Sequence, residues 1–174
     1  MKLIIIPFLA LLSISFNSYA ETIRDKDASD FFWCVIDQGG FDQFAFHEDK
    51  NILSKFEYTT GAFIRSPAAL NNGIIESRYL VDGDEKSRIT YYIDTNNFSY
   101  KKVHKGTFTK FKITIPDKSG QCKRQSKKEY LSSIMRSLND LESMCFIDNK
   151  NSILYSSYFC EKLCSNGINN PSCI

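Results

Sequence analysis

Histidine is almost missing from this chain: only His47 and His104 occur among 174 residues. Acid–base relays and metal centres that depend on imidazole therefore have little material. Other absences narrow the field further. No G-x-S-x-G elbow frames a serine, and no Gly-rich phosphate loop or calcium loop occurs. No C-x-x-C is present, so thiol exchange of the thioredoxin kind lacks its motif. After residue 20 no apolar run approaches the roughly 20 residues that a membrane-spanning helix needs. The chain is expected to be non-catalytic, with no cofactor and no metal.

The start of the chain reads as an export signal. Lys2 gives a positive beginning, Leu3 to Ile14 is apolar apart from Pro7 and Ser13, and Ser18 and Ala20 place small residues before Glu21. That is the three-part plan of a cleaved signal peptide over residues 1–20. A lipid anchor would need a cysteine at the cleavage point, and none is there. Residues 21–174 are then expected to form a single exported domain, periplasmic or secreted.

All six cysteines lie in that domain: Cys34, Cys122, Cys145, Cys160, Cys164 and Cys173. An even set in an exported chain points to three disulfides rather than to zinc. Cys34 and Cys122 bracket the strand-rich part of the sequence, and joining them closes a loop worth about 4–5 kcal/mol in the chain-entropy model. Cys160 and Cys164 are four apart, a poor distance for bonding each other on a helix. The expected pairs are therefore Cys34–Cys122, Cys145–Cys160 and Cys164–Cys173.

Residues 31–115 carry a period of two. Phe31 to Ile36 is a continuous apolar run, and Phe44 and Phe46 alternate with Gln43, Ala45 and His47. Ile52, Phe56 and Tyr58 share one parity, with Lys55 and Glu57 on the other. Ile75, Tyr79 and Val81 alternate with Glu76 and Arg78, and Ile89, Tyr91 and Ile93 with Arg88, Thr90 and Tyr92. Phe98 to Val103 and then Phe111, Ile113 and Ile115 complete the series. Such spacing predicts an antiparallel meander of about six to seven strands.

At Ser126 the period changes. Ser126 and Glu129 form a capping box, and Leu131, Ile134, Met135, Leu138, Leu141 and Cys145 then recur at helical spacing. A helix of about twenty residues follows, with a shorter one expected from Leu154 to Cys164. The predicted architecture is α+β: an antiparallel meander packed on a C-terminal amphipathic helix, stapled by disulfides in residues 126–174.

Charge is segregated along the chain. Residues 21–100 hold eight basic and fourteen acidic side chains, whereas residues 101–128 hold ten basic ones against Asp117 alone. Such a run attracts anionic partners. Only Arg124 among the ten is an arginine, which disfavours bidentate phosphate or base recognition, and nucleic acid is not the expected partner.

Two binding surfaces emerge. One is the stretch Gly61 to Asn72, read as a long connection presenting Phe63, Ile64, Arg65 and Leu70 to a partner. The other is a basic face of Lys101, Lys102, Lys105, Lys110 and Lys112. His47, flanked by Glu48 and Asp49, reads as a strand-end surface residue rather than a base. Glu57, Glu76, Asp82 and Asp94 are carboxylates without a spacing that selects a hydrolytic pair.

The leading functional reading is a periplasmic or secreted inhibitor or immunity-type protein that blocks a protein partner. In size, address and strand pattern alone the chain resembles small exported lysozyme inhibitors, although no inhibitor signature loop is present. The alternative is a secreted or envelope-associated protein on anionic glycans or lipids. A hydrolase with an unrecognised carboxylate pair comes last.

Overall fold

A computed structural model describes residues 25–81, 84–106, 115–146 and 160–161. Eight antiparallel strands follow one another around a closed barrel: β1 (Asp30–Ile36), β2 (Phe41–His47), β3 (Ile52–Glu57), β4 (Ala62–Asn71), β5 (Ile74–Val81), β6 (Asp84–Asp94), β7 (Ser99–Lys105) and β8 (Lys118–Gln125). Every strand pairs with its neighbour in sequence, and β8 returns to pair with β1. One helix, α1 (Lys127–Phe146), follows β8.

Alternation along the strands sends one set of side chains into the bore. Phe32, Cys34, Phe44, Phe46, Leu53, Ile75, Ile93 and Tyr100 form the inner core. An eight-stranded barrel is narrow enough for its own side chains to fill it, or to hold one small ligand. A second core lies outside the wall. Phe31, Ala45 and Phe56 face outward and meet Tyr130, Ile134, Leu138, Leu141 and Cys145 of α1. Each large side chain buried there contributes about 1.5–3 kcal/mol, and the Phe31 and Tyr130 rings lie 4.7 Å apart. β2 and β3 are thus buried on both faces along most of their length, as is the start of β1 at Phe31 and Phe32, whereas Val35 near the end of β1 and the outward residues Arg65, Pro67 and Ala69 of β4 are exposed.

The capping box forms as the sequence predicts. The Ser126 backbone N–H donates to Glu129 Oε2 at 2.7 Å, and the Glu129 N–H donates to Ser126 Oγ at 3.2 Å. The Ser126 N–H, together with the Ser126 hydroxyl that also donates to Oε2 at 2.7 Å, holds Glu129 below the usual carboxylate range.

Cys34 and Cys122 stand directly opposite each other across the β1–β8 seam and are bonded, as are Cys145 and Cys160. No free cysteine occurs among the described residues. Cys164 and Cys173 lie outside the described residues, as do residues 1–24, the expected strand at Phe111 and Ile113, and most of the helix expected from Leu154 to Cys164. The seam itself is tight. A Cβ on Gly120 would fall 2.0 Å from the Val35 carbonyl oxygen, so only glycine lets β8 approach β1 there.

The structure corrects three expectations. The sheet is a closed barrel of eight strands, and α1 lies against its outer wall instead of covering one face of an open sheet. Gly61 to Asn72 is not a connection: Ala62–Asn71 is a strand, ended by Asn72 and Gly73 with φ of +50° and +80°, the left-handed pair that a two-residue hairpin turn requires. Cys122 lies within the last strand, not after it.

Candidate functional site

The two ends of the bore differ in chemistry. One end is filled by Phe32, Phe46, Leu53, Ile75 and Ile93, each almost wholly buried. Toward the other end the inward positions carry charge. β2 supplies Asp42, β3 supplies Lys55 and Glu57, and β7 supplies Tyr100 and Lys102. The register places Phe44 opposite Lys55, Tyr91 opposite Lys102, and Lys102 opposite Lys118 of β8.

Asp42 is the hub. Lys55 Nζ lies 2.9 Å from its Oδ1, while Tyr100 Oη donates to Oδ2 at 2.6 Å. Lys102 Nζ reaches the same Oδ2 only at 3.6 Å and sits 5.7 Å from the centre of the Tyr91 ring. Lys55 also bonds Glu57 Oε2 at 2.9 Å.

Burial pushes the Asp42 carboxyl up, but Lys55, Lys102 and the Tyr100 hydroxyl outweigh it and hold Asp42 below its usual range. Burial lowers Lys55, and the attraction of Asp42, Tyr91 and Glu57 more than reverses that, so Lys55 is firmly an ammonium. Desolvation, then the Asp42 charge, raises Tyr100 well above an ordinary phenol. Lys102 goes the other way. Burial lowers it, and Lys55 and Lys118 add repulsion that Asp42 does not cancel. His104, opposite Ile89, is lowered by burial and by Lys102. Among the described residues, the charged end thus sets three lysines, Lys55, Lys102 and Lys118, against two carboxylates, Asp42 and Glu57.

Two polar knots hold the outer wall. Asp25, wholly buried, accepts from Ser54 Oγ at 2.8 Å, Tyr130 Oη at 3.0 Å and Arg65 at 3.0 Å, with His47 Nε2 at 3.2 Å. It ties the segment before β1 to three strands and to α1. Gln43 donates to Gln125 Oε1 at 2.8 Å and to Ser133 Oγ at 2.7 Å, and accepts from the Tyr58 hydroxyl. Desolvation raises Tyr58 to about 12.

Ser54, His47 and Asp25 supply the residue types of a hydrolytic triad in the wrong order. The carboxylate stands between hydroxyl and imidazole, so no base withdraws the serine proton. All three side chains are buried, His47 included although its place at the strand end suggested the surface, and no substrate reaches them. The carboxylates do not pair across a cleft either. Glu57 binds Lys55, Glu76 binds Arg78 at 2.8 Å, and Asp94 accepts the backbone N–H of Asn96; Asp82 lies outside the described residues. Among the described residues no group of three His, Cys, Asp or Glu side chains is placed to hold a metal ion, and no helix is long and apolar enough to cross a membrane.

The residues singled out from sequence are dispersed. Phe63 packs against the helix-side core, Ile64 stands opposite inward-facing Lys55, and Arg65 is committed to Asp25. Leu70 is exposed at the rim of the apolar end, opposite Ile75. Lys101 and Lys105 are exposed on β7, whereas Lys102 turns inward; Lys110 and Lys112 lie outside the described residues. The basic run is thus divided between surface and bore.

Sequence reasoning passed over Asp42, Lys55, Tyr91, Tyr100 and Lys118 as a group. The available signal was a charged residue at the parity of core residues: Asp42 with Phe44 and Phe46, and Lys55 with Leu53. A separate feature marks the outer wall beside the β1–β2 turn. Trp33 and Phe41 stack at 4.2 Å, and Phe41 and Val35 are exposed. Comparison with family models, with curated proteins and with solved structures found no match.

Proposed function

We propose that the chain is an exported binding protein without catalysis that takes up an anionic group at the charged end of its barrel. Two disulfides fit maturation in an oxidising compartment, in agreement with the signal-like beginning and a periplasmic or secreted address. One observation carries the reading: Lys102, inside the wall and directly opposite Lys118, has among the described residues only a 3.6 Å ion pair, to a carboxylate that already serves Lys55 and Tyr100. Like charges placed opposite each other in a ladder are destabilising, and stability is commonly given up where binding needs it.

The test is thermal unfolding in inorganic phosphate at ionic strength held constant with chloride. Phosphate should raise the melting temperature of the wild type. Lys102→Met should melt higher than wild type without phosphate and gain nothing from it. A wild-type melting temperature indifferent to phosphate sinks the proposal.

A second reading, the inhibitor or immunity class, draws on the Trp33–Phe41 stack with exposed Val35. Aromatic anchors of this kind carry much of the energy in protein interfaces, and Lys123 lies opposite Trp33 on the neighbouring strand. An acidic protein surface suits that combination. Pull-down from envelope extracts with wild type and Phe41→Ser decides it, because a partner retained equally by both proteins does not use the patch.

A further inference from the structure

The charged end of the bore has two unlike sides. β2, β3, β7 and β8 line one side with Asp42, Lys55, Lys102 and Lys118. β4, β5 and β6 line the other with Ile64, Tyr79 and Ile89, all half-buried. Tyr79 and Ile89 stand opposite each other and pack on the inner core, so these apolar side chains continue that core toward the rim and stop short of being covered. Solvent reaches the same region, since the Lys102 and Glu57 side chains are 14% and 32% exposed. The deep end is blocked by the phenylalanine and isoleucine packing described above. From Lys102 to the end of β7 is three residues, or roughly 10 Å of strand.

Two lysines, Lys102 and Lys118, set beside partly uncovered apolar side chains select for more than charge. Resting on the anion-binding reading above, we propose that the ligand is an amphiphilic monoanion: a carboxylate head on Lys102 and Lys118, with a medium-length hydrocarbon body lying between Ile64, Tyr79 and Ile89. The head replaces part of the hydration that both lysines lose inside the wall. The body covers side chains that are only partly buried. Neither a bare inorganic anion nor a neutral alcohol meets both needs.

The experiment is calorimetric titration of the full mature chain with acetate, octanoate, decanoate (below micelle formation), decanol and inorganic sulfate. Decanoate should bind saturably, about tenfold more tightly than octanoate, as two further buried methylenes imply, and far more tightly than acetate. Lys102→Met should weaken decanoate at least tenfold without weakening decanol. Tyr79→Ser should weaken decanoate without weakening sulfate, and circular dichroism melts establish that both variants fold. If sulfate and acetate bind as tightly as decanoate, the amphiphile inference is overturned while anion binding stands. If decanol matches decanoate and Lys102→Met changes nothing, or if no probe binds, both proposals fall together.

Discussion

Replacing Asp42 with asparagine keeps the shape of the hub and removes its charge, which isolates what that charge does. In the wild type the carboxylate receives Lys55 at 2.9 Å, Tyr100 at 2.6 Å and Lys102 at 3.6 Å. The amide oxygen that Asp42→Asn leaves in place can still accept from Tyr100. Lys55 keeps Glu57, while Lys102 is left facing Lys55 and Lys118 with no carboxylate of its own among the described residues. Removing one member of a buried ion pair costs about 3–5 kcal/mol. The surviving Tyr100 and Glu57 bonds place this case at the lower limit, about 3 kcal/mol, out of a total stability of roughly 5–15 kcal/mol. Adding Lys102→Met in the Asp42→Asn background should return about 1–2 kcal/mol, because it removes the ammonium left unbalanced, and coupling of that size is ordinary for residues in one network. Urea unfolding followed by circular dichroism measures all three proteins, with an unchanged slope confirming that the same surface is exposed. A loss under about 1 kcal/mol for Asp42→Asn, or no recovery in the double variant, would refute the hub.

Three other outcomes follow from the geometry. Cys34→Ser with Cys122→Ser opens an 88-residue closure at the barrel seam and should cost about 4–5 kcal/mol by chain entropy, read from the urea midpoint under non-reducing conditions. Because the Asp42 carboxyl is held below its unfolded value, about 3.9, it adds stability that is fully present above that pH and is lost as pH falls through its folded value; a stability–pH curve for Asp42→Asn should therefore begin to approach wild type only as pH drops under about 4, the gap closing below the folded value. Tyr130→Phe keeps the ring against Phe31 but deprives buried Asp25 of one donor at 3.0 Å, so it should cost about 1–2 kcal/mol in the same unfolding assay.

Legibility in the sequence tracked how many neighbours each residue has. The apolar stripe of α1 reports a single buried face and the Ser126–Glu129 cap a purely local contact, while Phe44 and Phe46 share one parity of a strand buried on both faces, and each is where the sequence places it. The two disulfides were legible because Cys34 and Cys122 enclose the strand-rich part and because Cys160 and Cys164, four apart, are poorly placed to bond each other. β4 was hidden by Pro67 and the run Ala68-Ala69-Leu70. Pro67 is tolerated because it falls opposite Ile52, where the β3–β4 ladder ends, and Asn72-Gly73 was the hairpin signal that named the strand. β8 was hidden because Lys118, Gly120 and Cys122 alternate inward with one apolar side chain among them. The charged end was illegible for a deeper reason. With both faces of β3 covered, one by the bore and one by α1, parity separates Lys55 and Glu57 from Phe56 and Tyr58 without telling which set faces the bore, and habit assigns the charged set to water.

A charged bore of this kind survives only if the rest of the fold is stable enough to tolerate it. The seam disulfide restrains the first and last strands, the apolar end is packed with aromatic and branched side chains, and Asp25 and Gln43 fasten the helix through bonds that involve none of the barrel's inward charges. Apart from the Asp42 hub with Lys55 and Tyr100, stability is therefore carried by residues outside the charged end. Under that division Lys102 is expendable for folding, and a residue that is expendable for folding yet held against two like charges is where binding should be sought. The same division explains why opening the seam at Cys34 and Cys122 should weaken folding and ligand uptake together, whereas Lys102→Met should separate them, raising the first and abolishing the second.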